Sequence, residues 1–362
     1  MFSAIDHALM ARALRLAARG LATTRPNPRV GCVIAHDDRV VGEGWHVQAG
    51  GPHAEVLALR EAAADARGAT AYATLEPCGL YGRTPPCVDA LIAAGIARVV
   101  VASEDAFQHS GSGIDRLRAA GIAVQTGLMR DAARELNRGF FSRIERGRPW
   151  LRVKLAMSLD GRTALADGRS KWITGDVARA DVQRWRARSC AILTGIGTVF
   201  SDDPRLTVRT LGESMVAPLR VVLDRQLRTP PAARVLDGSV PTLLLHAPDA
   251  CVVDDRFDRV ERIALAGDTR GLDLAAALAL LAARGINEAQ VEAGPTLCGA
   301  LFAAGLVDEL LLYVAPVLLG DSARPLLALP PLVDMTASWK LRVVEQRQVG
   351  DDMCLLLRPR IH

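Results

Sequence analysis

The chain has 362 residues, half of them hydrophobic, 23% charged and 4% aromatic, with a formal net charge of +4. That length predicts two domains or one large one, with ample core. So mild a charge and so few aromatics speak against an electrostatic or base-stacking nucleic-acid footprint, and no apolar run is long enough for a bilayer span.

The first element in chain order is a helix. Ser3 followed by Asp6 is the pattern of a capping box, with Asp in place of Glu. Ile5, Leu9, Ala13 and Leu16 then share one face, and Gly20 ends the helix. Val30–Ala35 and Arg39–Gly44 are predicted strands around Asp37 and Asp38. His53–Ala66 is a predicted helix, Ala69–Leu75 a strand, and Cys87–Ala94 a helix closed by Gly95. Arg98–Ala102, Ile114–Ala120 and Ile122–Thr126 continue as strand, helix and strand. Such alternation predicts an α/β sheet covered by helices.

The pattern breaks near Ser142–Pro149. The domain boundary is placed there, giving domains 1–145 and 146–362, with Arg143–Arg148 read as a solvated linker. Beyond it, strands are expected at Leu151–Met157, Ala191–Thr194, Leu219–Leu223, Thr242–His246, Ala289–Glu292 and Glu309–Val314. Leu341–Gln348 and Met353–Arg358 read as a closing hairpin around Gly350-Asp351.

Seven cysteines, an odd and irregularly spaced set, argue against a disulfide framework. No secretory leader is evident, so the cytoplasm is the expected compartment. Three of the chain's residues have metal-ligand character in one context: His53, in His53-Ala54-Glu55; Cys78, after Pro77; and Cys87. One imidazole and two thiolates meet the count for a catalytic zinc, which keeps a position open for water and lowers that water's pKa. Glu55, two residues after His53 at a helix start, is placed to shuttle protons without binding the metal. This order of residues is that of zinc nucleobase deaminases, except that eight residues rather than two separate the cysteines. Cys32, Cys190, Cys251, Cys298 and Cys354 lack such context and read as buried small apolar residues.

The first half carries the motifs Pro26-Asn27-Pro28-Arg29-Val30-Gly31-Cys32, Gly51-Pro52-His53-Ala54-Glu55, Thr74-Leu75-Glu76-Pro77-Cys78 and Gly82-Arg83-Thr84-Pro85-Pro86-Cys87. The second half carries Lys154 through Ala164, Trp172-Ile173-Thr174-Gly175, Asp202 through Arg209 and Val291 through Leu297. In these motifs the chain resembles the bifunctional deaminase/reductase family of riboflavin biosynthesis. The resemblance implies a cytidine-deaminase-like α/β/α domain followed by a dihydrofolate-reductase-like α/β domain. It also implies a two-step path on a ribosylaminopyrimidine 5′-phosphate: zinc-dependent loss of the ring amino group, then reduction of ribosyl to ribityl with NADPH. The protein is then expected to be a homodimer or homotetramer with small-molecule partners only.

By the same resemblance, Asn27, Arg83 and Asp105 contact the deaminase substrate. Ala156, Trp172, Thr198, Asp202 and Gly294, Pro295, Thr296, Leu297, Cys298, Gly299 and Ala300 sit against the nicotinamide cofactor. Ser170, Arg186, Leu206, Arg209 and Glu292 hold the sugar phosphate, with Arg186 and Arg209 as phosphate partners. The Gly294 turn independently suits a phosphate at a helix N-terminus. Asp160 with Asp202-Asp203 is not taken as a metal site, because hydride transfer needs none.

Two loops depart from the family pattern. Gly79, Leu80 and Tyr81 replace the usual Ser-His after the first cysteine, and Asp105 is followed by Ala106-Phe107-Gln108-His109. These departures leave two readings open: an ordinary riboflavin enzyme, or a paralogue on a related pyrimidine in a specialised pathway such as toxoflavin-type biosynthesis. A nucleic-acid-editing deaminase and a purely structural zinc module are the readings from other classes.

Overall fold

The structure is a computed structural model, and it describes residues 1–362 apart from 82–84, 108–112, 210–214, 253, 270 and 361–362. It divides into two compact units, Met1–Gly147 and Arg148–His362.

In the first unit α1 spans Ala4–Ala18 and begins with the capping box at Ser3 and Asp6. Leu9, Ala13 and Leu16 are buried as their spacing predicts, but Ile5 is 42% exposed. Asp6 takes the inward place instead, because its carboxylate meets Tyr72 Oη at 2.8 Å and Arg98 Nη1 at 2.9 Å. Then follow β1 (Gly31–His36), β2 (Arg39–Trp45), α2 (Ala54–Ala62), β3 (Thr70–Leu75), α3 (Cys87–Ala93), β4 (Arg98–Ser103), α4 (Gly113–Ala119) and β5 (Ala123–Thr126). The sheet order is β2-β1-β3-β4-β5, antiparallel on either side of β1 and parallel from β3 to β5.

Strand alternation produces the layers. Cys32 and Ile34 of β1 pack into one core with Ala54, Ala58, Val88, Leu91 and Leu117 of α2, α3 and α4. Val33 and Ala35 face the opposite core with Leu9, Met10 and Ala13 of α1. The result is the expected α/β/α arrangement. Backbone approach is very close on the α2 side: a Cβ on Gly44 would lie 2.5 Å from the Ala54 carbonyl oxygen. Only glycine lets β2 press against the first turn of α2, where His53 and Glu55 reside.

Two more helices, α5 (Arg130–Leu136) and α6 (Arg138–Arg146), complete the unit. They correct the sequence reading, which had a linker over Arg143–Arg148. Phe140, Phe141 and Ile144 of α6 pack on Leu75 and Val30, so apolar burial overrides the basic composition of the surface face. The helix stops at Gly147, whose φ of 66° is left-handed.

The second unit is built on β6 (Trp150–Ser158), with β7 (Arg162–Ala164), α7 (Asp176–Arg188), β8 (Ala191–Gly195), α8 (Ile196–Asp202), β9 (Leu219–Leu223), β10 (Thr242–His246), β11 (Glu261–Ala264), β12 (Gly267–Asp268), β13 (Gly271–Leu272), α9 (Leu274–Ala283), β14 (Glu288–Val291), α10 (Pro295–Ala303), β15 (Glu309–Ala315), β16 (Arg324–Pro325), β17 (Leu341–Val349) and β18 (Asp352–Pro359). Its main sheet runs β11-β10-β9-β8-β14-β6-β15-β18-β17. The strands are parallel from β11 to β15, and the expected C-terminal hairpin adds the antiparallel edge. At its centre Arg152 is fully buried, its guanidinium on Glu309 at 2.7 Å and Glu288 at 3.1 Å. Because β8 and β14 are parallel neighbours, the helices that follow them, α8 and α10, both begin at the same edge of the sheet, at Gly195 and Gly294. That edge is where ligands bind in open α/β sheets.

Candidate active sites

Among the described residues, one cluster of potential metal ligands occurs: His53, Cys78 and Cys87, with donor atoms all within 4.8 Å of one another. His53 is the N-cap of α2, and Cys87 is the first residue of α3. His53 Nδ1 lies 3.0 Å from Cys87 Sγ and 3.4 Å from Cys78 Sγ, and the two sulfurs are 3.4 Å apart. Ligands at ordinary zinc–nitrogen and zinc–sulfur bond lengths in a tetrahedron stand roughly 3.6–3.8 Å apart. The three donors therefore need to spread by only about half an ångström to hold zinc. The chemistry agrees. Hydrogen bonding from Cys87, against burial and aided by His53, pushes the Cys78 thiol well below the usual thiol range, while interaction with Cys78 raises the Cys87 thiol.

Glu55 sits in the first turn of α2, only 3% exposed. Burial raises its carboxyl to about 6. Its Oε2 has no hydrogen-bond partner among the described residues.

His46 belongs to this site, and no sequence signal singled it out. Its ring stands edge-on to that of His53, 5.4 Å between centroids. The Pro52 carbonyl 3.1 Å from Nδ1 can only accept, so Nδ1 carries the proton. Nε2 then accepts from Asn27 Nδ2 at 3.0 Å. Burial lowers the His46 pKa and keeps the ring neutral. This chain of bonds fixes the Asn27 amide, leaving its oxygen aimed away from His46. Asp105 follows β4 and donates its N–H to Glu76 Oε2 at 3.1 Å. Arg83 and the Gln108-His109 part of the second altered loop lie outside the described residues. Leu80 and Tyr81 are exposed.

In the second unit one large cleft opens at the β8 and β14 edge. Its lining includes Ala156, Ser170, Trp172, Arg186, Thr198, Asp202, Leu206, Arg209, Glu292, Gly294, Pro295, Thr296, Leu297 and Ala300. Cys298 and Gly299 do not line it. Helical periodicity turns them inward: Cys298 is fully buried with its thiol 3.4 Å from the Ala293 carbonyl, and a Cβ on Gly299 would meet the Ala328 carbonyl at 2.1 Å.

Arg186, expected as a phosphate partner, lines the cleft and is paired there. Its Nε and Nη2 each bond a Glu292 carboxylate oxygen at 2.7 Å, and Nη1 bonds the Thr207 carbonyl at 2.8 Å. The guanidinium fork is occupied and serves to hold Glu292. Burial opposes the charge on Glu292, but Arg186 and Lys154 bring its carboxyl down to about 2. Lys154, on β6, lines the same cleft, a place its motif alone does not reveal. Burial lowers its pKa, with Glu292 opposing and Arg186 reinforcing the shift.

The remaining acidic and thiol groups have structural partners or exposure. Asp160 accepts from Leu319 and Gly320 N–H groups and from the Ser158 hydroxyl, so it anchors a turn. Cys32, Cys190, Cys298 and Cys354 are buried as expected, whereas Cys251 is exposed.

Comparison with known proteins covers both units. The family described as the RibD C-terminal domain matches residues 149–355, and that of the cytidine and deoxycytidylate deaminase zinc-binding region matches residues 3–103. The riboflavin biosynthesis protein RibD of Escherichia coli K12 is 50% identical over 97% of this chain and 99% of its own length. That of Haemophilus influenzae is 45% identical over 99% of both chains. The solved structure of Acinetobacter baumannii RibD, form 1, superposes with a TM-score of 0.92 at 43% identity over 99% of each chain. A Thermotoga maritima diaminohydroxyphosphoribosylaminopyrimidine deaminase/5-amino-6-(5-phosphoribosylamino)uracil reductase superposes at 0.87, with 32% identity, over 98% of this chain and 99% of its own.

Proposed function

Since this chain belongs to the RibD family of bifunctional deaminase/reductases of riboflavin biosynthesis, we propose that its two units divide that chemistry, deamination in residues 1–147 and reduction in residues 148–362. The single observation that carries the first assignment is the convergence of His53, Cys78 and Cys87 beside the buried carboxyl of Glu55.

His53, Cys78 and Cys87 would hold zinc, whose chemistry is to make a water molecule acidic enough to attack at neutral pH. Glu55 accepts a proton from the attacking water and passes it to the pyrimidine ring nitrogen. It then carries a second proton to the departing amino group, so that water and an aminopyrimidine become a carbonyl and ammonia. A carboxyl near 6 is suited to both directions of transfer. Asn27, oriented by His46, presents its amide oxygen to the substrate, and Arg83 and Asp105 complete the contacts by resemblance.

In the second unit NADPH would supply hydride to the ribosyl group from along Gly294–Leu297, Ala300, Thr198, Asp202, Ala156 and Trp172. Glu292, held by Arg186, accepts from sugar hydroxyls. Lys154, its ammonium weakened by burial, delivers the proton that accompanies the hydride. Arg209 and Ser170 face the phosphate. The first unit's substrate is a phosphoribosylamino-diaminopyrimidine and the second unit's is the deaminated phosphoribosylaminouracil, the two compound classes named for the Thermotoga maritima relative. The full-length similarity to riboflavin proteins supports that substrate over a specialised paralogue's.

No helix among the described residues is long and apolar enough to cross a membrane. The reading includes action in the cytoplasm, a homodimer or homotetramer, and no nucleic-acid partner. It is tested by a coupled assay on zinc-loaded protein that follows ammonia release and NADPH oxidation separately. Both signals are expected from the diaminopyrimidine. Absence of ammonia with zinc bound would overturn the deaminase assignment.

A further inference from the structure

Glu76 lies two residues before Cys78 and is only 6% exposed, yet it is neither a metal ligand nor a group the deamination uses. Its two carboxylate oxygens point to different places on the chain. Oε2 accepts the N–H of Asp105 at 3.1 Å, and Oε1 accepts the N–H of Ile114 at 3.2 Å. One carboxylate thereby holds both Asp105, just after β4, and Ile114, in the first turn of α4. Its own N–H is tied to the Ser103 carbonyl at 2.9 Å.

A second tie runs the other way. Arg116 of α4 donates Nη1 to the Gly79 carbonyl at 2.6 Å and Nη2 to the Asp89 carboxylate. Gly79 follows Cys78, and Asp89 is two residues past Cys87. Arg116 therefore grips the chain immediately after each zinc cysteine. Between the two ties, Gly113 rests directly on Pro77: a Cβ there would stand 1.8 Å from the Pro77 carbonyl oxygen.

We propose that Glu76 and Arg116 are a pair of positioning residues that lock the start of α4 and Asp105 onto the segments bearing Cys78 and Cys87, and so set the substrate-recognition wall of the deaminase. The inference rests on the deaminase reading above. The tie at position 79 is made by a backbone carbonyl, which any residue supplies, so side-chain replacement there leaves the brace intact. A charged carboxylate on two backbone N–H groups is a strong, geometrically specific anchor. Gln at position 76 can accept from only one of them and would turn its own NH2 toward the other.

The experiment compares full-length, zinc-loaded wild type with Glu76→Gln, Arg116→Met and Arg116→Lys. Zinc stoichiometry, KM and kcat for ammonia release, and reductase turnover on the pre-deaminated compound are read for each. Glu76→Gln and Arg116→Met are expected to keep zinc and reductase turnover and to raise the deaminase KM about tenfold or more, with a smaller change in kcat. Arg116→Lys, which keeps the charge but reaches only one of two acceptors, should fall between. Unchanged KM in both Glu76→Gln and Arg116→Met overturns the proposal. Loss of zinc in both also overturns it, since the pair would then hold the metal rather than the wall. Silence of the wild type itself on ammonia release removes the deaminase reading, and the brace with it.

Discussion

Arg186 meets Glu292 through two parallel N–H···O contacts of 2.7 Å, and the same guanidinium reaches the Thr207 carbonyl. A helix, a strand end and the chain leading to Arg209 are thus joined at one point in the reductase cleft. Both partners are largely buried, so the pair is not a solvent-screened surface bridge. Arg186→Met is expected to leave buried Glu292 with only the Gln290 amide, at 2.9 Å, and the charge of Lys154 as partners, at a local cost of up to about 3 kcal/mol. Reductase turnover should fall by roughly 100-fold or more while ammonia release by the other unit stays at wild-type level. Arg186→Lys should recover little, because an ammonium cannot reproduce the fork. NADPH oxidation on the pre-deaminated substrate checks both.

Glu55→Gln keeps the shape of the buried side chain and removes the proton carrier. Zinc content and thermal unfolding should match wild type, and ammonia release should drop by about 10²–10⁴-fold. Full turnover in that variant would mean that another group moves the proton.

Metal removal separates the two units chemically. A chelator should abolish ammonia release and leave NADPH oxidation on pre-deaminated substrate intact, because the cleft residues named above include no metal-ligand cluster. Zinc, added back, should restore the first activity. Parallel loss of both activities on chelation would contradict this division.

Asp6 couples the first unit's stability to acid. Arg98, at 2.9 Å, holds its carboxyl well below the usual carboxylate range against burial, with the Ser3 amide and the Tyr72 hydroxyl adding to the effect. A depressed folded-state pKa adds stability above the unfolded value, about 3.9, and that stability is lost as pH falls from there toward the folded pKa. Asp6→Asn should therefore destabilise the unit by about 1–3 kcal/mol at neutral pH. It should also flatten the acid limb below about pH 4. Urea unfolding of both proteins between neutral pH and pH 3 would show this as converging midpoints. A constant gap across the range would assign the loss to packing.

Much of this protein was legible in its residues. His53, Glu55, Cys78 and Cys87 declare a zinc site because their chemistry is scarce and their order specific. Strand and helix periodicity located Leu219–Leu223 and Thr242–His246 with the bounds the structure has, and both hairpin strands at the C-terminus to within a residue. Other features existed only in three dimensions. A basic, Arg-rich α6 reads as linker until Leu75 and Val30 cover Phe140 and Phe141. Cys298 and Gly299 belong to a cofactor-binding stretch by resemblance and to the core by helical rotation. Arg186 is a phosphate partner by resemblance, but its pairing with Glu292 is visible only in the fold; His46 and Arg116 carry no local signature, and Glu76 enters the sequence reading only as part of the Thr74–Cys78 motif. The residue types and their spacing thus determined the chemistry available to this chain, because ligand and proton-transfer capacity belong to side chains. Which of those side chains face a reacting group, and which are already bound to one another, was decided only by the tertiary structure, because hydrogen bonds between distant segments depend on packing rather than on sequence separation.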